Sequence, residues 1–230
     1  MMSRPRRLLA EFLGTLLLTA VVVGSGITAA ELSPGNTGLE LTENAVATAF
    51  ALFAIIAVLA PVSGAHLNPV ISLVDAALGK RTWLDAATYI PAQIVGCFAG
   101  AVLANLMFAL PAVSISTTVR LTPSHFLSEI VATAGLVLVV FVLARTGRER
   151  FAPAAVATYI GAAYLFTSSA SFANPAITIA RMFSNTFAGI DPASVGGFIL
   201  AQLIGAAAGL GLVRLLTPRT IQQPKEGSGA

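Results

Sequence analysis

The chain has 230 residues, 56% of them hydrophobic and only 10% charged, against about 25% charged in an ordinary soluble domain. With a mean hydropathy of +0.85, that charge cannot cover a water-exposed surface, which excludes an ordinary soluble enzyme, a nucleic-acid binder and a disordered tail protein. One cysteine, Cys97, and two widely separated histidines, His66 and His125, offer no internal disulfide and no convincing metal set, and no cofactor is expected.

A membrane-spanning helix needs about 20 mostly apolar residues. Stretches free of Asp, Glu, Lys and Arg cover 12–30, 44–74, 86–119, 130–144, 151–180 and 192–213. They predict six spans, at about 8–28, 43–61, 84–108, 125–145, 152–169 and 194–216. The fourth run is short because Glu129 interrupts it, and residues 121–128 restore its length. Two runs are too long for one span. Run 44–74 passes Pro61, Ser63 and Gly64 before reaching Asn68-Pro69, and run 151–180 passes Thr167, Ser168, Ser169 and Ser171 before reaching Asn174-Pro175. Asparagine is a good N-cap and proline is tolerated in the first helical turn. Each pair therefore predicts a short helix, at about 69–78 and 175–184. Half-length helices at membrane depth are stable only where they pack in protein or line a water-filled cavity.

Charge predicts orientation. In a six-span arrangement Arg4, Arg6, Arg7, Lys80, Arg81, Arg145, Arg148, Arg150, Arg214, Arg219 and Lys225 fall on one side, and only Arg120 and Arg181 on the other. Both termini are therefore expected in the cytoplasm. A secretory signal peptide also starts basic and then apolar. Glu11 inside the run, and the need for this helix in the six-span count, favour a retained span.

The two halves echo each other. Glu11-Phe-Leu-Gly-Thr15 is similar to Glu129-Ile-Val-Ala-Thr133, His66-Leu-Asn-Pro-Val70 to Phe172-Ala-Asn-Pro-Ala176, and Ala92-Gln-Ile-Val-Gly96 to Ala201-Gln-Leu-Ile-Gly205. Each half holds three full spans, an odd number, so the second enters the membrane inverted. Inverted repeats with broken helices place a functional site near the midplane. Gly96, Gly100, Gly205 and Gly209 are expected at close helix contacts and Cys97 in packing.

Ser63-Gly-Ala-His-Leu-Asn-Pro-Val70 and Asn174-Pro-Ala176, with Glu11, Glu129, Gln93 and Gln202, resemble the aquaporin (major intrinsic protein) family over about residues 8–216. The resemblance implies an all-α polytopic membrane protein with six transmembrane helices, two re-entrant half-helices and an inverted repeat. It implies one transmembrane channel domain, 1–216, with half-repeats at about 8–108 and 125–216 and a flexible C-terminal tail, 217–230. The half-helices would meet end to end, with Asn68 and Asn174 donating into a pore and Pro69, Val70, Pro175 and Ala176 completing the two motifs. Val70 departs from the common alanine at the packed third position. Glu11 and Glu129 would accept hydrogen bonds from the re-entrant backbone, a reading preferred here over proton relay. His66 would line or gate the pore mouth, or serve as a structural histidine.

Carried over by spacing, the family's selectivity filter falls on Thr48, Ala162, Ser171 and Ile177. Most members have arginine at the last position, so Ile177 implies a wider, less polar constriction. Arg181 lies one turn further on. It either supplies charge to the pore or pairs off its axis, and the latter is expected. The segment Asn174-Pro-Ala-Ile-Thr-Ile-Ala-Arg181, with Phe187-Ala-Gly189, is similar to a bacterial branch whose genes often accompany arsenic resistance. The function so implied is a passive channel for small uncharged solutes (glycerol-like polyols, urea, neutral metalloid hydroxides such as arsenite) and water. A water-dominant channel is the alternative, followed by a secondary transporter using Glu11 and Glu129, and by a closed structural protein. The resemblance further implies a homotetramer in the bacterial inner membrane. The expected partners are solutes, water and lipid, with no nucleic acid and no catalytic residues.

Overall fold

The computed structural model describes residues 2–217 and contains eight α-helices. They are α1 (Arg4–Leu32), α2 (Thr37–Ser63), α3 (Pro69–Ala77), α4 (Trp83–Met107), α5 (Pro123–Arg145), α6 (Ala152–Phe166), α7 (Pro175–Arg181) and α8 (Pro192–Leu216). A single 3₁₀ turn, Glu149–Phe151, leads into α6. The flexible tail expected from 217 onward falls on residues 218–230, outside those described.

Five helices, α1, α2, α4, α5 and α8, are long and apolar enough to cross a membrane. The fifth span was expected over 152–169, but α6 stops at Phe166 after 15 residues. At 1.5 Å per residue that is only about 22 Å, short of a hydrocarbon core of about 30 Å. Thr167 turns extended, and the chain from there leads to α7.

The expected end of the second span at Pro61 is also revised. α2 runs through Pro61 to Ser63 and stops at Gly64, whose φ of 94° is left-handed. Pro61 lies in the last turn and lacks the N–H that would bond the Ala57 carbonyl one turn earlier. The real stop is the glycine, which reaches that conformation without a Cβ penalty. Polar caps start α4, α5 and α8: Thr82 accepts from the Asp85 N–H at 3.0 Å, Thr122 from His125 at 3.2 Å, and Asp191 from Ala193 at 2.8 Å.

The packing repeats across the two halves. α1 packs on α4 and α2, while α5 packs on α8 and α6. Close approach needs glycine at equivalent places. A Cβ on Gly96 would strike the Phe12 carbonyl, and one on Gly205 the Ile130 carbonyl. Both half-helices, α3 and α7, lie against α4 and α8, so each touches its own half and the other. The outer surface is apolar, with Leu9, Phe50, Phe53, Leu127 and Leu215 exposed. Glu11, Gln93, Glu129 and Gln202 are completely buried. This inverted polarity suits lipid outside and a polar path within.

Candidate functional site: a pore between the half-helices

The site is built from two descending chains, 64–68 and 170–174, each leading to an Asn-Pro pair. Ala65, Leu67, Ser171 and Ala173 all have φ between 46° and 53°, a left-handed conformation that costs an L-residue about 1–2 kcal/mol. A buried carboxylate holds each descent. Glu11 accepts from Ser63 Oγ at 2.6 Å, the His66 N–H at 3.0 Å, the Leu67 N–H at 2.7 Å and Gln93 Nε2 at 2.8 Å. Glu129 repeats this with Ser169 Oγ at 2.6 Å, the Phe172 and Ala173 N–H groups at 2.9 Å, and Gln202 Nε2 at 2.7 Å. With the N–H groups drawn to the carboxylates, the strained turns persist because their surroundings over-determine them.

The two asparagines lock the halves together. Asn68 Nδ2 donates to the Ala173 carbonyl at 2.7 Å, and Asn174 Nδ2 donates to the Leu67 carbonyl at 2.8 Å. Each Oδ1 caps its own half-helix, Asn68 accepting from Val70 at 3.0 Å and Asn174 from Ala176 at 3.0 Å. A side-chain amide carries two N–H donors, so each asparagine keeps one beyond its bond to the opposite half. The N-termini of α3 and α7 therefore face each other, with their dipoles presenting positive ends at one level. Pro69, Val70, Pro175 and Ala176 are buried around this junction.

A cavity of about 670 Å³ passes this junction. Its lining mixes apolar side chains, Leu18, Leu52, Ile56, Leu136 and Ile160, with polar ones, Asn68, Asn174, Thr48, Tyr164 and Ser171. Thr48 Oγ1 lies 3.4 Å from Tyr164 OH. Ser171 Oγ is buried without a hydrogen-bond partner among the described residues. At one end His66, Asp75, Arg81 and Arg7 border the cavity, with Lys80 paired to Glu149 across the rim. His66 both lines this mouth and is anchored, sharing a 3.0 Å hydrogen bond with Ser72 and an edge contact with Tyr89.

Residues 1–173 match the Major intrinsic protein family. The chain belongs to that family. Along 211 residues it is 49% identical to aquaglyceroporin AqpS of Rhizobium meliloti, covering 92% of this chain and 90% of that one. It is 32% identical over 219 residues to the probable aquaporin TIP2-2 of Oryza sativa, covering 87% and 83%. The solved aquaglyceroporin of Plasmodium falciparum superposes with a TM-score of 0.68 at 21% identity, covering 94% of this chain and 97% of that one, which establishes the fold. This is an integral membrane protein with the aquaporin fold.

Against the aquaporin pattern, Thr48, Ser171 and Ile177 border the cavity but Ala162 does not. Ala162 faces outward on α6 and is exposed. Two residues along a helix turn the side chain through about 200°, and the inward position is Tyr164, only 3% exposed. Arg181 also corrects its expectation. It is not withdrawn from the axis: its guanidinium borders the cavity, stacked 3.5 Å above the Phe172 ring, while Nε donates to the Ala188 carbonyl. Phe172 and Tyr164 were not singled out as lining residues. The repeat carried a signal for one of them, because Phe172 holds the place that His66 holds in the first half.

Proposed function

We propose that the protein is a passive channel for small uncharged solutes, namely glycerol-like polyols, urea, neutral metalloid hydroxides such as arsenite, and water. The mixed apolar and polar lining carries this reading. A polyol can lay its carbon backbone on Leu18, Leu52 and Ile56 while its hydroxyls meet Asn68, Asn174 and Ser171. Thr48, Tyr164, Ser171 and Ile177 are proposed as the selectivity region, with Tyr164 in place of Ala162. The facing positive ends of the half-helices disfavour cations, a device of aquaporin-type pores. The name of the relative from Rhizobium meliloti, an aquaglyceroporin, supports the same reading.

A coupled transporter is disfavoured by the state of Glu11 and Glu129. A carboxylate offers about four acceptor sites, and each of these carboxylates accepts four hydrogen bonds from the chain. Neither keeps a lone pair for a coupling ion. We also propose a homotetramer in the bacterial inner membrane with both termini cytoplasmic. Osmotic light scattering from proteoliposomes tests the function. Glycerol, urea and arsenous acid should each enter faster than into protein-free vesicles. No flux above the empty vesicles overturns the channel, and water flux alone favours the water-dominant alternative.

A further inference from the structure

The repeat that pairs His66 with Phe172 also pairs Asp75 on α3 with Arg181 on α7, both 106 residues apart. The two half-helices thus carry charges of opposite sign at equivalent places, each bordering the cavity. Their surroundings differ. Asp75 Oδ2 has Arg81 Nε at 3.9 Å and His66 Nε2 at 3.7 Å. Arg181, only 3% exposed, meets no carboxylate among the described residues. Its one hydrogen bond there uses Nε, which leaves Nη1 and Nη2 without a partner. The neighbouring Arg120 is different: it is spent on the Gly189 and Phe187 carbonyls, at 2.6 and 2.7 Å, and does not border the cavity. Every other charged lining residue lies at the opposite mouth, with Arg7, Lys80 and Arg81 set against Asp75, Asp85 and Glu149.

We infer that Arg181 is the cation-rejecting and solute-donating residue of this pore, delivered from one helical turn beyond Ile177 and held over the cavity by Phe172. A desolvated, unpaired guanidinium repels hydronium and metal cations strongly because little solvent screens it. Its free Nη groups donate to the oxygens of a passing polyol or water. The stacking on Phe172 fixes the plane of the group without consuming those donors. The chain with Ile177 thus keeps an arginine at its selectivity region from a different position. This inference rests on the channel reading above.

Proteoliposomes carrying Arg181→Met, Arg181→Gln and Arg181→Lys test it, with water flux read by light scattering and proton entry by an internal pH dye. Loss of the charge should raise proton and sodium entry about tenfold or more relative to water flux, and Arg181→Lys should restore most of the rejection. The comparison uses whichever of the Met and Gln variants still passes water. Proton entry within about twofold of the unaltered protein overturns the inference. So does loss of water flux in both variants, since the arginine then serves only to hold the fold. Absence of water flux through the unaltered protein instead overturns the channel reading.

Discussion

Ser171 illustrates how a side chain can contribute to function and almost nothing to stability. Ser171 lines the cavity, and its hydroxyl is buried with no hydrogen-bond partner among the described residues. Ser171→Ala therefore removes no hydrogen bond within the fold and should shift stability by less than about 0.5 kcal/mol. Glycerol permeability should fall severalfold while water flux persists, as read by swelling in the two osmolytes. Unchanged glycerol flux would mean that the hydroxyl does not meet solute. Ile177 makes the opposite case, since the cavity gains from what the residue lacks. Ile177→Arg would place a second guanidinium one turn below Arg181, adding bulk and charge to the same wall. Glycerol entry should drop about tenfold with water retained; equal loss of both would indicate simple blockage or misfolding.

At the scale of the element, each re-entrant segment is a strained chain held by one carboxylate. The half-helices are short, nine residues in α3 and seven in α7, and isolated helices of that length are unstable. Their stability comes from the carboxylate, the asparagine cap and the packing on α4 and α8. Glu11→Gln turns one acceptor oxygen into a donor facing the chain's own N–H or hydroxyl donors. That conflict should cost about 2–4 kcal/mol, seen as a lower melting temperature in detergent. Glu129→Gln should cost a similar amount, because the hydrogen-bond set repeats atom for atom. If one variant is neutral and the other severe, the halves do not share the work equally. The carboxylates, their glutamine partners and both Asn-Pro pairs were legible in the sequence, because a charge in an apolar run and a proline after an N-cap are unambiguous. The fifth span's length and the stop at Gly64 were less so, since an apolar run continues past the point where a helix ends.

At the scale of the molecule, the basic residues sort by position. Arg7 pairs with Asp85 at 2.9 Å, Lys80 with Glu149, and Arg214 reaches the Ala77 carbonyl at 3.4 Å. These contacts gather the start of α1, the end of α3, the start of α4 and the end of α8 at one face. Arg120 and Arg181 lie at the other, against the 187–189 loop. By the positive-inside rule the first face is the one proposed as cytoplasmic. The native Cys97 is fully buried, so an introduced cysteine reports alone. Glu31→Cys should react with an impermeant maleimide in intact cells, and Arg148→Cys only after permeabilisation. The reverse pattern would invert the topology. The Lys80–Glu149 pair is more than half exposed on both sides, so it should add well under about 1 kcal/mol.

The sequence by itself determined the membrane class, the inverted repeat, the two half-helices and the residues that anchor them. Each follows from where polar groups stand in apolar runs, and that is written in one dimension. Only the tertiary structure decided which face of α6 looks inward and what surrounds Arg181. A helix apolar all round has no stripe to set its rotation, so packing alone turned Tyr164 in and Ala162 out. Arg181's role depends on the neighbours it lacks. Only the folded chain places Phe172 beneath the guanidinium and leaves its outer nitrogens without a hydrogen-bond partner among the described residues.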